Sequence, residues 1–387
     1  MSSAFDTINR QMVLNVLADA GCTDDELRLV RMLISNTKIK VNVNGTISLE
    51  FESILGAFQG DCLSGDLFTI ILAAALHQLR AILSQASQSP YVVNHPIPNP
   101  PVSESFMPLE TEYADDTSFS NSRKEPLEDL YPVCKAVFGE WNLSVNDSKT
   151  ERLHFYQAIP RPQNRKKMVP GIEYRGDEAW RKHKVLGSIL CSNEDIKKKC
   201  ILGNGAYANF KNVWSRNDIS LDRRLKIYDA QVVSIMLYNC NSWAAPNHAL
   251  DHLDVTHRNH LRDMIGIKWP RGHISNEKLY ERCSTRSLSE RVYAARWKML
   301  GHVLRYDDDT PAFLALKFCI FTEGSGSGFK GRRGAPRMNL LNVFRNDLKR
   351  RKIVNTLSNL DDLEILRATA INKVFWKSLS NIKYDIK

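Results

Sequence analysis

The chain has 387 residues, 43% of them apolar, with 53 Lys+Arg against 43 Asp+Glu, which suits two or three domains with ordinary globular cores. Its longest mostly apolar run, Leu67 to Leu76 with Thr69 inside it, is too short to span a bilayer, and Met1-Ser2-Ser3-Ala4 opens no visible secretory signal. The 8 cysteines are scattered without zinc-type pairing and read as reduced thiols of an intracellular protein.

Charge is unevenly spread. Residues 1–150 hold 10 Lys/Arg and 19 Asp/Glu, leaving 43 and 24 for residues 151–387, a balance of −9 followed by +19. A strongly basic second part suggests a polyanion partner, because Lys and Arg contacts to phosphate dominate nucleic-acid affinity. The acidic first part suggests carboxylates kept for cations. A solvated basic surface would give the same count.

In chain order, Asp6 to Ala20 reads as a turn into an amphipathic helix with Met12, Val13, Val16 and Leu17 at helical spacing. Gly21 ends it, and Thr23-Asp24-Asp25-Glu26 caps a second helix running through Met32 and Leu33. Lys40 to Phe51 alternates on both sides of Asn44-Gly45, a hairpin signal. Leu67 to Leu83 predicts a mostly buried helix, and Ser84 to Pro108, with 6 prolines, an exposed connector. Glu112 to Phe119 looks like two short strands around an acidic turn. Leu127 to Trp141 predicts a helix with Leu130, Val133, Val137 and Trp141 on one face; Leu143 to Val145 and His154 to Tyr156 suit strands. Past about residue 195 strand signals fade, and helices are expected over Leu221 to Leu237, Leu250 to Met264, Ser287 to Leu304 and Met338 to Arg350. Gly324 to Gly328 reads as a hinge, followed by the basic stretch Lys330 to Arg337.

Adjacent carboxylates on a tight turn, such as Asp115-Asp116, suit a hard divalent cation that wants oxygen ligands. An isolated Asp-Asp pair is usually an ordinary surface turn, so the surrounding text decides. Ser3-Ala4-Phe5-Asp6-Thr7-Ile8-Asn9 and Gly56-Ala57-Phe58-Gln59-Gly60-Asp61-Cys62-Leu63-Ser64 precede Tyr113-Ala114-Asp115-Asp116. Leu143 to Glu151 and Val185-Leu186-Gly187 follow it. In this order and spacing the blocks resemble the palm of reverse transcriptases. Arg258 to Trp269, Gly301-His302-Val303-Leu304-Arg305 and Gly331 to Arg337 resemble the non-LTR (LINE-type) retrotransposon branch. A group II intron maturase shares the palm but fits these last strings less well.

The resemblance implies an α+β fold: a right-hand palm of antiparallel sheet plus helices, then a helical thumb and a C-terminal helical region. Residues 1–190 would be a partial fingers and palm domain, 191–310 a thumb-like region, and 311–387 a basic C-terminal region. It implies an RNA-directed DNA polymerase that takes dNTPs, an RNA template and a DNA primer or target, in cytoplasm and nucleus and without a membrane. Asp115 and Asp116 would hold two Mg²⁺ ions, or Mn²⁺, and Lys149 would assist the pyrophosphate leaving group. Phe5 would be the steric gate against a 2′-hydroxyl, Gln59 and Gly60 would line the nucleotide and template pocket, and Leu186 and Gly187 would form the primer grip. Arg332, Arg333 and Arg337 suit RNA phosphates. Singly, Phe5 also suits a core, Gln59 a turn and Lys149 a solvated surface. His302, on an apolar helix, is expected to be a hydrogen-bonded packing residue rather than a ligand.

Two departures bear on activity. The family's other metal-binding aspartate, five residues before the gate aromatic, would fall immediately ahead of Met1, so an N-terminally truncated and impaired polymerase is expected. The family's Pro-Leu-Ser-Pro string is replaced by Cys62-Leu63-Ser64-Gly65, which removes two φ-fixing prolines and predicts a looser pocket. The competing reading is a non-catalytic retroelement remnant that binds nucleic acid.

Overall fold

A computed structural model describes residues 5–53, 55–57, 61–84, 110–120, 125–153, 182–216, 218–267, 272–324, 338–353 and 355–379. The chain divides into two compact units, Met1–Arg152 and Leu153–Lys387. The connector expected over Ser84 to Pro108, the strand at His154 to Tyr156 and the basic stretch at Lys330 to Arg337 lie outside the described residues, apart from Ser84, which ends a helix.

In the first unit, Asn9 caps α1 (Arg10–Asp19) by accepting from the amides of Gln11 and Met12, and Gly21 at φ 91° closes it. Thr23 and Glu26 form the expected capping box at the start of α2 (Asp24–Ile34). Asn44-Gly45 turns a hairpin between β2 (Asn42–Val43) and β3 (Thr46–Ile47), both turn residues at positive φ. Outside it, β1 (Thr37–Ile39) pairs antiparallel with β4 (Phe51–Ser53). Arg10 ties this pair to α1, donating to Thr37 Oγ1 at 3.1 Å and to the Ser53 carbonyl at 2.7 Å.

The central helix α3 (Ser64–Ser84) is longer than the apolar run suggests. His77 and Arg80, which interrupt the run, are exposed, so the apolar face continues past them. Over Ser64–Leu83 the helix is long and apolar enough to cross a membrane by length and composition alone, which corrects the estimate from the ten-residue run. Here Leu67, Phe68, Ile71, Leu72, Ala75, Leu76, Leu79 and Leu83 are buried in a core shared with Val13 and Leu14 of α1. Leu130, Cys134, Val137 and Phe138 of α4 (Glu125–Glu140) complete it. Asp61 holds the start of α3, where the prolines are missing. Its Oδ1 accepts from the Leu63 amide at 3.2 Å and its carbonyl from the Ser64 amide at 3.3 Å. Between α3 and α4 in sequence, β5 (Glu110–Tyr113) pairs with β6 (Asp116–Phe119). The strand expected at Leu143 to Val145 shrinks to a one-residue bridge at Ser144, followed by a 3-10 turn at Asp147–Lys149.

Among the described residues of the second unit, β7 (Lys184–Val185) and β8 (Ser188–Ile189) come first and the remaining elements are helical. Its elements are α5 (Ser192–Asn209), α6 (Lys211–Trp214), α7 (Leu221–Tyr228), α8 (Ser234–Met236), α9 (Asn247–Met264) and α10 (Asn276–Arg282). They continue as α11 (Leu288–Leu304), α12 (Pro311–Gly324), α13 (Leu340–Arg350), α14 (Leu360–Ile371) and α15 (Lys373–Ser378). A π-helical turn at Asp229–Val233 joins α7 to α8, so the single helix expected over Leu221 to Leu237 is nearly continuous. One core gathers Tyr228, Trp243, Leu253 and Leu261; another gathers Trp297, Phe313, Phe344 and Trp376. Helix α11 serves both, giving Leu288 and Val292 to the first and Trp297, Leu300 and Leu304 to the second.

Gly301 is explained by packing. The Trp297 and Trp376 rings stack with centroids 3.9 Å apart, and a Cβ on Gly301 would stand 2.2 Å from Trp376 Nε1. His302 beside it is exposed, which corrects the packing role expected for it: its position on α11 faces away from both cores. Among the described residues the strands pair only two by two, in four antiparallel sheets.

Candidate active site

The register of β5 and β6 pairs Tyr113 with Asp116, leaving Ala114 and Asp115 as a two-residue turn. Ala114 takes φ 53°, a left-handed conformation that costs a residue with a Cβ roughly 1 kcal/mol. The turn sets Asp116 in an exposed position and Asp115 in a half-buried one. Arg80 of α3 pairs with Glu110 at the far end of β5. Partial burial, and then the Glu110 carboxylate, raises Glu112 above the usual carboxylate range, with Arg80 opposing. Beside the turn, Thr117 buries a hydroxyl that has no hydrogen-bond partner.

This arrangement fits a hard divalent cation by donor chemistry. Mg²⁺ is commonly held by one or two carboxylates, with substrate phosphates and water completing the shell. Asp115 and Asp116 supply carboxylates of that kind from a short, register-fixed turn. Among the described residues no group of three or more His, Cys, Asp or Glu is gathered for a metal.

Phe5 is half-buried, its ring centroid 5.1 Å from that of Phe68 on α3. Its carbonyl accepts from the Ala57 amide at 2.8 Å, and the Ile8 carbonyl accepts from the Gly56 amide at 2.8 Å. Gly56 is obligatory there, since it sits at φ 79° and a Cβ would meet the Asp6 carbonyl oxygen at 2.7 Å. Two of the sequence blocks are therefore bonded to each other, just ahead of Gln59 and Gly60, which lie outside the described residues. Asn142 donates to the Thr7 carbonyl and adds the end of α4 to the same group.

Lys149 is exposed on the turn Asp147–Lys149, whose Asn146 cap accepts from its amide at 3.3 Å. Asp147 anchors that turn to α4, accepting from Tyr131 and from Lys135 Nζ at 2.6 Å. Hydrogen bonds from Lys135 and then Tyr131 hold Asp147 below the usual carboxylate range.

Leu186 and Gly187 form the two-residue turn between β7 and β8, at φ 47° and 79°, as in a type I′ hairpin. They belong to the second unit. Arg332, Arg333 and Arg337 lie outside the described residues.

Sequence reasoning passed over the residues that brace this second turn. Tyr238 Oη donates to the Leu186 carbonyl at 3.0 Å and Lys199 Nζ to the Gly187 carbonyl at 2.9 Å. Asp195 accepts from the Ile189 amide and from Trp243 Nε1, both at 2.8 Å. A signal was present: the buried positions of α5 are Asp195, Ile196, Lys199, Cys200 and Gly203, so two charged residues fall on its inward stripe.

Residues 1–190 match the protein family described as reverse transcriptase (RNA-dependent DNA polymerase). No curated protein matches the chain. The first 190 residues thus carry a reverse transcriptase domain, which puts the carboxylate turn, the Phe5 segment and the Leu186-Gly187 turn inside one RNA-dependent DNA polymerase family region.

Proposed function

We propose that the chain is the polymerase portion of a non-LTR, LINE-type retrotransposon reverse transcriptase, adding deoxynucleotides to a primer 3′-hydroxyl on an RNA template. The observation that carries this reading is the Asp115-Asp116 turn within the matched region. Asp115 and Asp116 would hold Mg²⁺, with Mn²⁺ a substitute; bound there, two such ions supply charge that favours attack by the primer hydroxyl and neutralises the triphosphate. Lys149 faces solvent and is able to meet a leaving pyrophosphate. Phe5, backed by Phe68, presents a fixed aromatic edge as a steric gate. Gln59 and Gly60 line the nucleotide pocket, Leu186 and Gly187 meet the primer, and Arg332, Arg333 and Arg337 take RNA phosphates. The strings Arg258 to Trp269 and Gly301 to Arg305 favour the LINE-type branch, with a palm in the first part and a thumb after it.

The test is primer extension on an RNA template with Mg²⁺ or Mn²⁺, beside Asp115→Ala. Extension lost in Asp115→Ala supports the polymerase reading and its site. Extension that survives in the variant overturns the site.

The second reading is a nucleic-acid-binding remnant without catalysis, favoured by the +19 balance over residues 151–387. It expects salt-sensitive RNA binding with no nucleotide addition under either metal.

A further inference from the structure

We propose that Lys199 and Tyr238 are positioning residues, locking the Leu186-Gly187 turn in the backbone conformation that presents Leu186 to a primer strand. The proposal rests on the polymerase reading and names what holds one part of that site in place.

Leu186 is an unusual choice for its position. A type I′ turn takes Asn or Gly at low cost, whereas a leucine at φ 47° persists only where its surroundings determine it. Those surroundings are specific. Both turn carbonyls are claimed, Leu186 by Tyr238 Oη at 3.0 Å and Gly187 by Lys199 Nζ at 2.9 Å. The ammonium also lies 4.5 Å from the Tyr238 ring centroid, so the two braces support each other. The ring covers the turn closely enough that a Cβ on Gly187 would meet Tyr238 Cε1 at 3.2 Å.

A surface hairpin does not need such an anchor, because water satisfies turn carbonyls. Burying a lysine is costly unless it is bonded, yet Lys199 is only 5% exposed. That burial lowers its proton affinity, with Asp195 opposing and Lys184 adding to the drop. Neighbouring bonds extend the bracing along the hairpin: Asn239 donates to Ser188 Oγ at 3.2 Å, and Asp195 accepts from the Ile189 amide. What the turn offers outward is apolar and aromatic, with Leu186 40% and Tyr238 51% exposed. Such a surface suits sugar and base better than phosphate.

The test uses the full chain and fluorescence anisotropy, comparing an RNA template annealed to a DNA primer with the same RNA alone. Lys199→Met and Tyr238→Phe are expected to lose about tenfold of the preference for the primed duplex. Tyr238→Phe removes one oxygen and should melt with the unmodified chain, so it decides the matter if Lys199→Met fails to fold. Lys198→Met, an exposed neighbour, should weaken both ligands alike. Hydrogen exchange at the amides of residues 186–190 should quicken in both bracing variants, whatever the ligand does. Preference and exchange both unchanged would overturn the bracing. Exchange that quickens in the variants, beside an unmodified chain with no preference for the primed duplex, would leave the bracing and overturn the primer reading.

Discussion

The two hairpins of the reverse transcriptase region are built alike and supported differently. Each turns in two residues, and each puts a residue with a side chain at positive φ, Ala114 in one and Leu186 in the other. The β5–β6 turn leaves Asp116 and the 67%-exposed Tyr113 outward. In the β7–β8 turn both carbonyls are bonded to side chains of α5 and of the segment after α8. The difference is what the proposed polymerase site would ask of the two turns. A turn that binds cations needs carboxylates open to ligands that arrive with substrate, whereas a turn that meets a strand by shape needs its backbone set in advance.

The bracing of the second turn reaches into a buried polar chain, and cutting that chain is the strongest way to break the comparison. Trp243, which shares Asp195 with the hairpin, offers its carbonyl to Arg296 Nη1 at 3.5 Å. Arg296 is in turn paired with Asp347 through Nε–Oδ2 at 3.0 Å and Nη2–Oδ1 at 3.1 Å, both residues 1% exposed. Asp347→Ala leaves the guanidinium buried without its counter-charge, and a loss of about 3–5 kcal/mol is expected in urea unfolding followed by tryptophan fluorescence. A loss below about 1 kcal/mol would mean that water reaches Arg296 and that the hairpin's base is softer than the geometry implies.

Acid should act on the same unit, with a smaller effect from each group. Tyr228 Oη lies 2.9 Å from His257 Nδ1 and 3.1 Å from His260 Nδ1. Burial, reinforced by Arg291, pushes His257 down to about 3, and burial pushes His260 down to about 4, with Asp263 opposing. Both rings are neutral in the fold, so below about pH 6.5 the unfolded chain takes up protons that the folded chain refuses. Their contribution is complete above that pH and declines as pH falls towards 4 and then 3. About 2 kcal/mol should be lost through His257 alone by pH 5, and His257→Gln should flatten the curve of stability against pH. An unchanged curve in that variant would show that His257 is not the group titrating.

How much of this was legible follows from what each feature depends on. The Thr23-Glu26 capping box and the Asn44-Gly45 turn are local, and their residue types alone specify the backbone; the acidic turn was legible from its flanking strands, although alanine does not favour the positive φ that Ala114 takes. Helices α9, α11 and α13 declared themselves by spacing. Helix α5 did not, because Lys199 and Asp195 occupy its inward stripe and break the apolar pattern. Their partners, Gly187, Ile189 and Trp243, are supplied by tertiary structure. Helix α2 was legible from its cap alone: Leu29, Met32 and Leu33 are exposed and only Ile34 is buried. Gly301 was read as part of a family string, but its reason is the indole of Trp376 far along the chain.

The smallest expected effect sharpens the comparison most directly, because the same change can be made in both turns. Ala114→Gly relieves a left-handed alanine and should stabilise the chain by about 0.5–1 kcal/mol in thermal unfolding. Leu186→Gly relieves a similar conformation and should gain a comparable amount, less whatever the leucine contributes by packing. Dynamics should separate the two. Glycine at 114 widens the conformations open to the turn between β5 and β6, so amide exchange over residues 113–117 should quicken even as stability rises. With glycine at 186 the bonds from Tyr238 and Lys199 remain, so exchange over residues 185–189 should stay slow. Equal quickening in both turns would mean that the side-chain bonds add nothing to the second hairpin beyond what its own strands provide.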